Sequence, residues 1–96
     1  MEVFLTKRAQ ANLVKIRDKI RKDWGTKASK AFENRVLDFF VVLAAFPKIG
    51  SLEEEEKEIF GFQLSSQTRV FYRLSKHRII ILNFFEVRQH PDKKLK

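Results

Sequence analysis

Arg69 and Arg73 stand four residues apart in TRVFYRL with Phe71 between them, and a second polar group, Arg88, His90 and Lys93, follows in VRQHPDK. On an extended strand the two arginines share a face about 13 Å apart. Guanidinium groups so placed can hold phosphates while the intervening ring stacks on a base. The alternative for either arginine is a structural ion pair with Glu58 or Glu86. Metal-free RNA cleavage needs a base for the 2′-hydroxyl proton, an acid for the leaving 5′-oxygen and cations around the phosphorane. His90 could be base or acid, and Arg69, Arg73 and Arg88 could stabilise the charge. Glu86 could act as a carboxylate base or hold Arg73 or Arg88 in place. A lone histidine near a terminus is more often a solvated side chain, so binding without catalysis stays open, with Lys57 and Lys93 as further cations. Tyr72 reads as a core or sheet-face residue and His77 as a turn residue.

Other chemistries find no support in the residues. A Gly-rich phosphate loop, an HExxH pair and a nucleophile elbow are all missing, and the only histidines, His77 and His90, have no ligand pattern around them. Neither a metal nor a cofactor is expected. The chain has no cysteine, which removes disulfides and thiolate chemistry and suits a cytoplasmic protein. MEVFLTKRAQ lacks the features of a signal peptide. The longest apolar runs, near 39–46 and 79–85, fall far short of the ~20 residues that cross a bilayer, so no membrane role is expected.

Charge narrows the choice of partner. The net charge is +8, yet five of the twelve acidic residues lie together in SLEEEEKE at 51–58. From Gln67 onward, eight lysines or arginines face only Glu86 and Asp92. A cationic C-terminal third predicts a polyanion or an acidic protein surface as partner.

These residues need a scaffold, and 96 residues with 44% apolar content suit a single domain, 1–96. EVFL at 2–5 reads as a short strand and Thr6 as the N-cap of a helix running to about Trp24. Ala9, Leu13, Ile16, Ile20 and Trp24 form its apolar stripe. Gly25 ends it, and Thr26 caps a second helix over about 27–46, with Ala28, Phe32, Val36, Phe39, Leu43 and Phe46 at helical spacing. Its second half, VLDFFVVLAAF, is apolar nearly all round, which predicts burial on several sides or cover by another chain. EIFGFQL and TRVFYRL then alternate as strands, and RIIILNFFEV is apolar on both faces, which predicts cover on both over part of its length; short hairpin connectors join the three. The last reads as a central strand that anchors Arg88 and His90 at the sheet's end. The order β-α-α-β-β-β predicts an α+β domain: a short N-terminal strand and a helical hairpin packed on a small antiparallel sheet.

LTKRAQANLVKIRDKIRKDWGTKASKAF, LAAFPKIGS, RVFYR, IIILNFF and VRQHPDK, taken in order and spacing, resemble the RelE/ParE superfamily of toxins from bacterial type II toxin-antitoxin systems. The resemblance covers nearly the whole chain. It implies a small cytoplasmic toxin neutralised by a cognate antitoxin, whose helix or extended segment covers apolar and cationic surface. It also implies one of two targets. ParE-like members inhibit DNA gyrase; the FPKIG loop and RQHP ending are closer to these. RelE-like members cut messenger RNA on the ribosome with basic sheet residues and a C-terminal tyrosine or histidine. Arg69, Arg73, Arg88 and His90 stand at suitable places for that, although no tyrosine follows Tyr72.

Overall fold

The computed structural model describes residues 1–87. The elements run β1 (Glu2–Leu5), α1 (Lys7–Trp24), α2 (Thr26–Ala45), β2 (Ser51–Glu54), β3 (Ile59–Gln63), β4 (Thr68–Leu74) and β5 (Arg78–Glu86). They form one five-stranded sheet in the order β1-β5-β4-β3-β2, covered on one face by the helical hairpin. The α+β architecture matches the expected one, with two refinements. The sheet is mixed, because β1 joins β5 in parallel. The acidic run supplies an extra edge strand, β2, before turning at Glu55–Glu58.

Thr6 performs the turn from strand to helix. Its hydroxyl oxygen accepts from the Ala9 N–H at 3.0 Å as the N-cap and donates to the Leu82 carbonyl at 2.9 Å, tying the start of α1 to β5. β1 stops at Leu5, opposite Ile81. Farther along β5, Asn12 of α1 accepts from the Phe84 N–H at 3.1 Å, supplying the partner that no strand offers there. Gly25, at φ 97°, lies in the left-handed region that glycine enters at least cost, and its N–H donates to Arg21 at 2.9 Å to close α1. Gly25 is also the N-cap of α2, so Thr26 is the first helical residue and not the cap.

The core lies between hairpin and sheet. Ala9 and Ile16 of α1 and Phe32, Val36, Phe39 and Leu43 of α2 meet Phe60, Val70, Tyr72, Ile79, Ile81 and Phe84. The α1 stripe departs from expectation at its end: Trp24 is 75% exposed. Glu86, at the end of β5, already pairs with Lys19 at 3.6 Å, and the last turn of α1 continues past that pair. Phe46 lies past the end of α2 and is exposed as well. Only one face of β5 is covered by helices. Its other face keeps Ile80 and Leu82 half-buried and Phe85 exposed, so the apolar run on that side is an open surface and not a second core.

Tyr72 organises the loop between α2 and β2. The fully buried ring stacks on Phe60 at 5.4 Å, and its hydroxyl donates to the Pro47 carbonyl at 2.8 Å and accepts from the Gly50 N–H at 3.0 Å. A Cβ on Gly50 would sit 2.6 Å from the Gly61 carbonyl oxygen, a backbone atom that cannot yield, so this close approach requires glycine. Burial raises the Tyr72 pKa above the ordinary phenol value, against a smaller opposing effect of the Gly50 hydrogen bond. Because folded Tyr72 keeps a proton that the unfolded chain loses above about pH 10, stability is full below that pH and falls as pH rises through the alkaline range. Tyr72→Phe leaves the Gly50 N–H and the Pro47 carbonyl unpaired and should cost about 1–3 kcal/mol. Urea unfolding at pH 7 and pH 10.5, in wild type and variant, measures both effects; the variant's own alkaline loss should be smaller.

Candidate functional site

The sheet face opposite the helices carries the cationic and aromatic groups. Strand pairing places directly opposed residues on one face. Arg73 stands opposite Ile59 and Ile80, Phe71 opposite Gly61 and Asn83, and Arg69 opposite Gln63 and Phe85, with Phe4 beside Ile80. Val70, Tyr72 and Leu74 alternate inward. Arg78 lies over the Phe4 ring at 4.8 Å and Arg69 over the Phe71 ring at 5.5 Å, both cation–π contacts. A shallow depression of about 580 Å³ is lined by Thr6, Arg8, Ile59, Phe71, Leu82 and Asn83.

Arg69 is not a free cation. One terminal nitrogen of its guanidinium donates to Glu53 Oε2 at 2.5 Å and the other to Gln63 Oε1 at 3.3 Å. Its partner is therefore Glu53 of β2, and not Glu58 or Glu86. Two local features make the pair possible. Pairing between β2 and β3 slips between Leu52 and Glu54, leaving Glu53 as an extra residue on β2, while Glu54 stands opposite Ile59. Such a bulge sets two successive side chains on one face where a regular strand would alternate them. Glu53 and Glu54 thus both join the open face. Gly61 lies between the partners: a Cβ there would be 2.6 Å from Arg69 Nη2 and 2.8 Å from Glu53 Oε2. The missing side chain is the channel through which Arg69 crosses β3.

Arg73 is exposed and forms no ion pair with any described residue. Lys57 is exposed in the acidic turn before β3, at the Arg73 end of the sheet and away from Arg69. His77 is exposed in the β4–β5 turn. Arg88, His90 and Lys93 lie outside the described residues. The structure thus brings Arg69 and Arg73 to one face but couples the first to an acid.

Arg8 and Arg78 join this face without having been singled out in the sequence. The signal for Arg8 was LTKRA: Lys7 and Arg8 open a helix that has no acid in its first turn, where the helix dipole favours carboxylates. Among the described residues no cluster of His, Cys, Asp or Glu could hold a metal ion. The face can bind anions and planar rings.

Both members of the Arg69–Glu53 pair are partly exposed, so a double-mutant cycle should give a coupling of about 0.5–1 kcal/mol at low ionic strength and less at 1 M salt. Gly61→Ala, which displaces the guanidinium, should remove most of that coupling in the same cycle.

Comparison with known proteins finds the same fold in solved structures. The chromosomal ParDE toxin-antitoxin system from P. aeruginosa contains a chain that superposes with a TM-score of 0.76 at 20% identity, over 92% of this chain and 97% of that one. A YoeB/ParE toxin from Agrobacterium tumefaciens gives 0.65 at 10% identity, covering 92% and 100%. The isolated E. coli RelE toxin gives 0.62 at 12% identity, covering 98% and 92%. No curated protein sequence matches significantly. The family model described as the ParE toxin of the type II toxin-antitoxin system, parDE, matches residues 3–91, and the chain belongs to that family of toxins.

Proposed function

We propose that the protein is the toxin of a cytoplasmic toxin-antitoxin pair, that it arrests growth by binding DNA gyrase, and that a cognate antitoxin neutralises it. The ParE family match over residues 3–91 carries this reading. The geometry supports it through Arg69. A cation held by Glu53 is poorly placed to gather the charge of a phosphorane, whereas a face of arginines and rings with carboxylates at its edge suits docking on a mixed-charge protein or protein–DNA surface.

The antitoxin's seat is the groove of about 380 Å³ between the helices, lined by Leu13, Val14, Phe32, Val36, Leu37 and Phe40 among others. Leu37, Val14 and the nearby Val41 of α2 are exposed. An amphipathic helix laid in this groove would cover them. The apolar second half of α2 is then explained by two neighbours, the sheet and the partner.

A second reading, ribosome-dependent cleavage of messenger RNA, draws on the open face, where Glu53 or Glu54 could supply a base and the exposed Arg73 a phosphate contact. One experiment separates the two. The chain is induced without its antitoxin while plasmid supercoiling and messenger RNA ends are followed. Relaxed plasmids and DNA breaks with intact messages support gyrase as target; cuts at ribosome-bound codons with supercoiling intact refute it. Under the gyrase reading, Arg69→Ala should change toxicity by less than tenfold. Leu37→Glu should stay toxic and lose neutralisation by the antitoxin at least tenfold, read as growth on co-expression.

A further inference from the structure

Trp24 is the only tryptophan in the chain, and it is more exposed than any other large apolar side chain among the described residues. It ends α1 at the tip of the helical hairpin, one helical turn past the Lys19–Glu86 ion pair. The tip is strongly basic: residues 19–30 hold five lysines or arginines against Asp23 alone. Lys19 is engaged by Glu86, and Arg21 by Asp18 at 3.1 Å. Lys22, Lys27 and Lys30 are exposed and form no ion pair with any described residue.

We propose that this tip is a binding site for single-stranded DNA, with one base stacked on the Trp24 indole and the flanking phosphates held by Lys22, Lys27 and Lys30. Each part matches a chemical need. An exposed indole is a stacking platform that accepts any base, and exposed lysines before and after it in the chain supply the charge that a backbone continuing past the stacked nucleotide needs. α2 begins at Gly25 without a side-chain cap, so its first N–H groups stay open to a phosphate oxygen. A membrane anchor fits poorly, because the single ring is flanked in the chain by Asp23, Gly25 and Thr26 and is not part of an apolar run. The choice of DNA over RNA rests on the gyrase reading above; the site itself rests on the tip.

The sole tryptophan makes the test direct. Intrinsic fluorescence of the full chain is titrated at low salt with an oligodeoxythymidylate of about ten nucleotides. Stacking should quench Trp24 saturably. The triple variant Lys22→Ala, Lys27→Ala, Lys30→Ala should bind at least tenfold more weakly, and its log K against log salt slope should be shallower by about two, as expected for three lost phosphate contacts. Trp24→Ala should weaken binding of a labelled oligonucleotide about tenfold by anisotropy, whereas Trp24→Phe should keep most of it. Arg73→Ala, on the sheet face, should leave the quenching unchanged.

The proposal is overturned if the free protein's emission is already that of a shielded indole, if the oligonucleotide leaves it unchanged, or if the triple variant binds like wild type. Tighter binding of the matching RNA, or a shift seen with anionic vesicles and not with DNA, overturns it too. No gyrase is present in the titration, so the two readings fail separately. Quenching without gyrase inhibition upholds the tip and sinks the gyrase target; gyrase inhibition without quenching does the reverse.

Discussion

The hydroxyl of Tyr72 holds the sheet to the chain that leaves the helices. A buried phenol has one proton to give and lone pairs to accept with, and here both functions go to one short loop, through Pro47 and Gly50. Without that tie, the connection from α2 would have little to fix its course over the sheet edge. β2 begins at the residue after Gly50. Tyr72 thus fixes the chain one residue before β2 pairs with β3 and forms the bulge that turns Glu53 toward Arg69.

The open face is in this sense a product of the core. A glycine at 61 opens a passage across β3, a bulge at 53 aims a carboxylate into it, and an arginine on β4 spans the gap. Each of these devices is small, and all three must coincide. The face differs from a simple cationic platform: the Arg69 guanidinium is paired with Glu53, the exposed Arg73 stands at the other end of β4, and Arg8 approaches from the helical layer. Such a surface discriminates between partners by charge pattern more than by total charge.

Periodicity revealed the scaffold well because burial imposes it. The apolar spacing in α1 and α2, the Thr6 cap, the alternation of Arg69, Phe71 and Arg73 against Val70, Tyr72 and Leu74, and the two short hairpins were all readable. β2 was not, since SLEE is an edge strand with every residue exposed and no inward-facing pattern to leave a trace. The stripe overreached at Trp24 for the converse reason: spacing reports which residues share a helix face, not where the surface beneath that face stops. The Arg69 partner was misassigned because the pairing runs across two strands through a glycine, a relation that strand-by-strand reading does not contain. The arginine–aromatic face was legible on β4, whereas Arg8 and Arg78 joined it only through topology. Arg88, His90 and Lys93 lie outside the described residues.

The parallel pairing of β1 with β5 joins the first strand to the last of those described. Glu2 stands opposite Arg78 and Leu5 opposite Ile81, and the amino group of Met1 donates to the Ala44 carbonyl at 3.1 Å. During synthesis β1 must therefore wait while more than seventy residues emerge before its partner exists. Closing so long a loop is entropically costly and slow, and sheets built this way form late. The helical hairpin, whose contacts are local, can form first with its apolar side unprotected. The sheet that carries the arginine face assembles last, so a ribosome interrupted before β5 releases a chain without that surface. For a member of a toxin family, this order of assembly means that partial synthesis yields fragments lacking the intact arginine face.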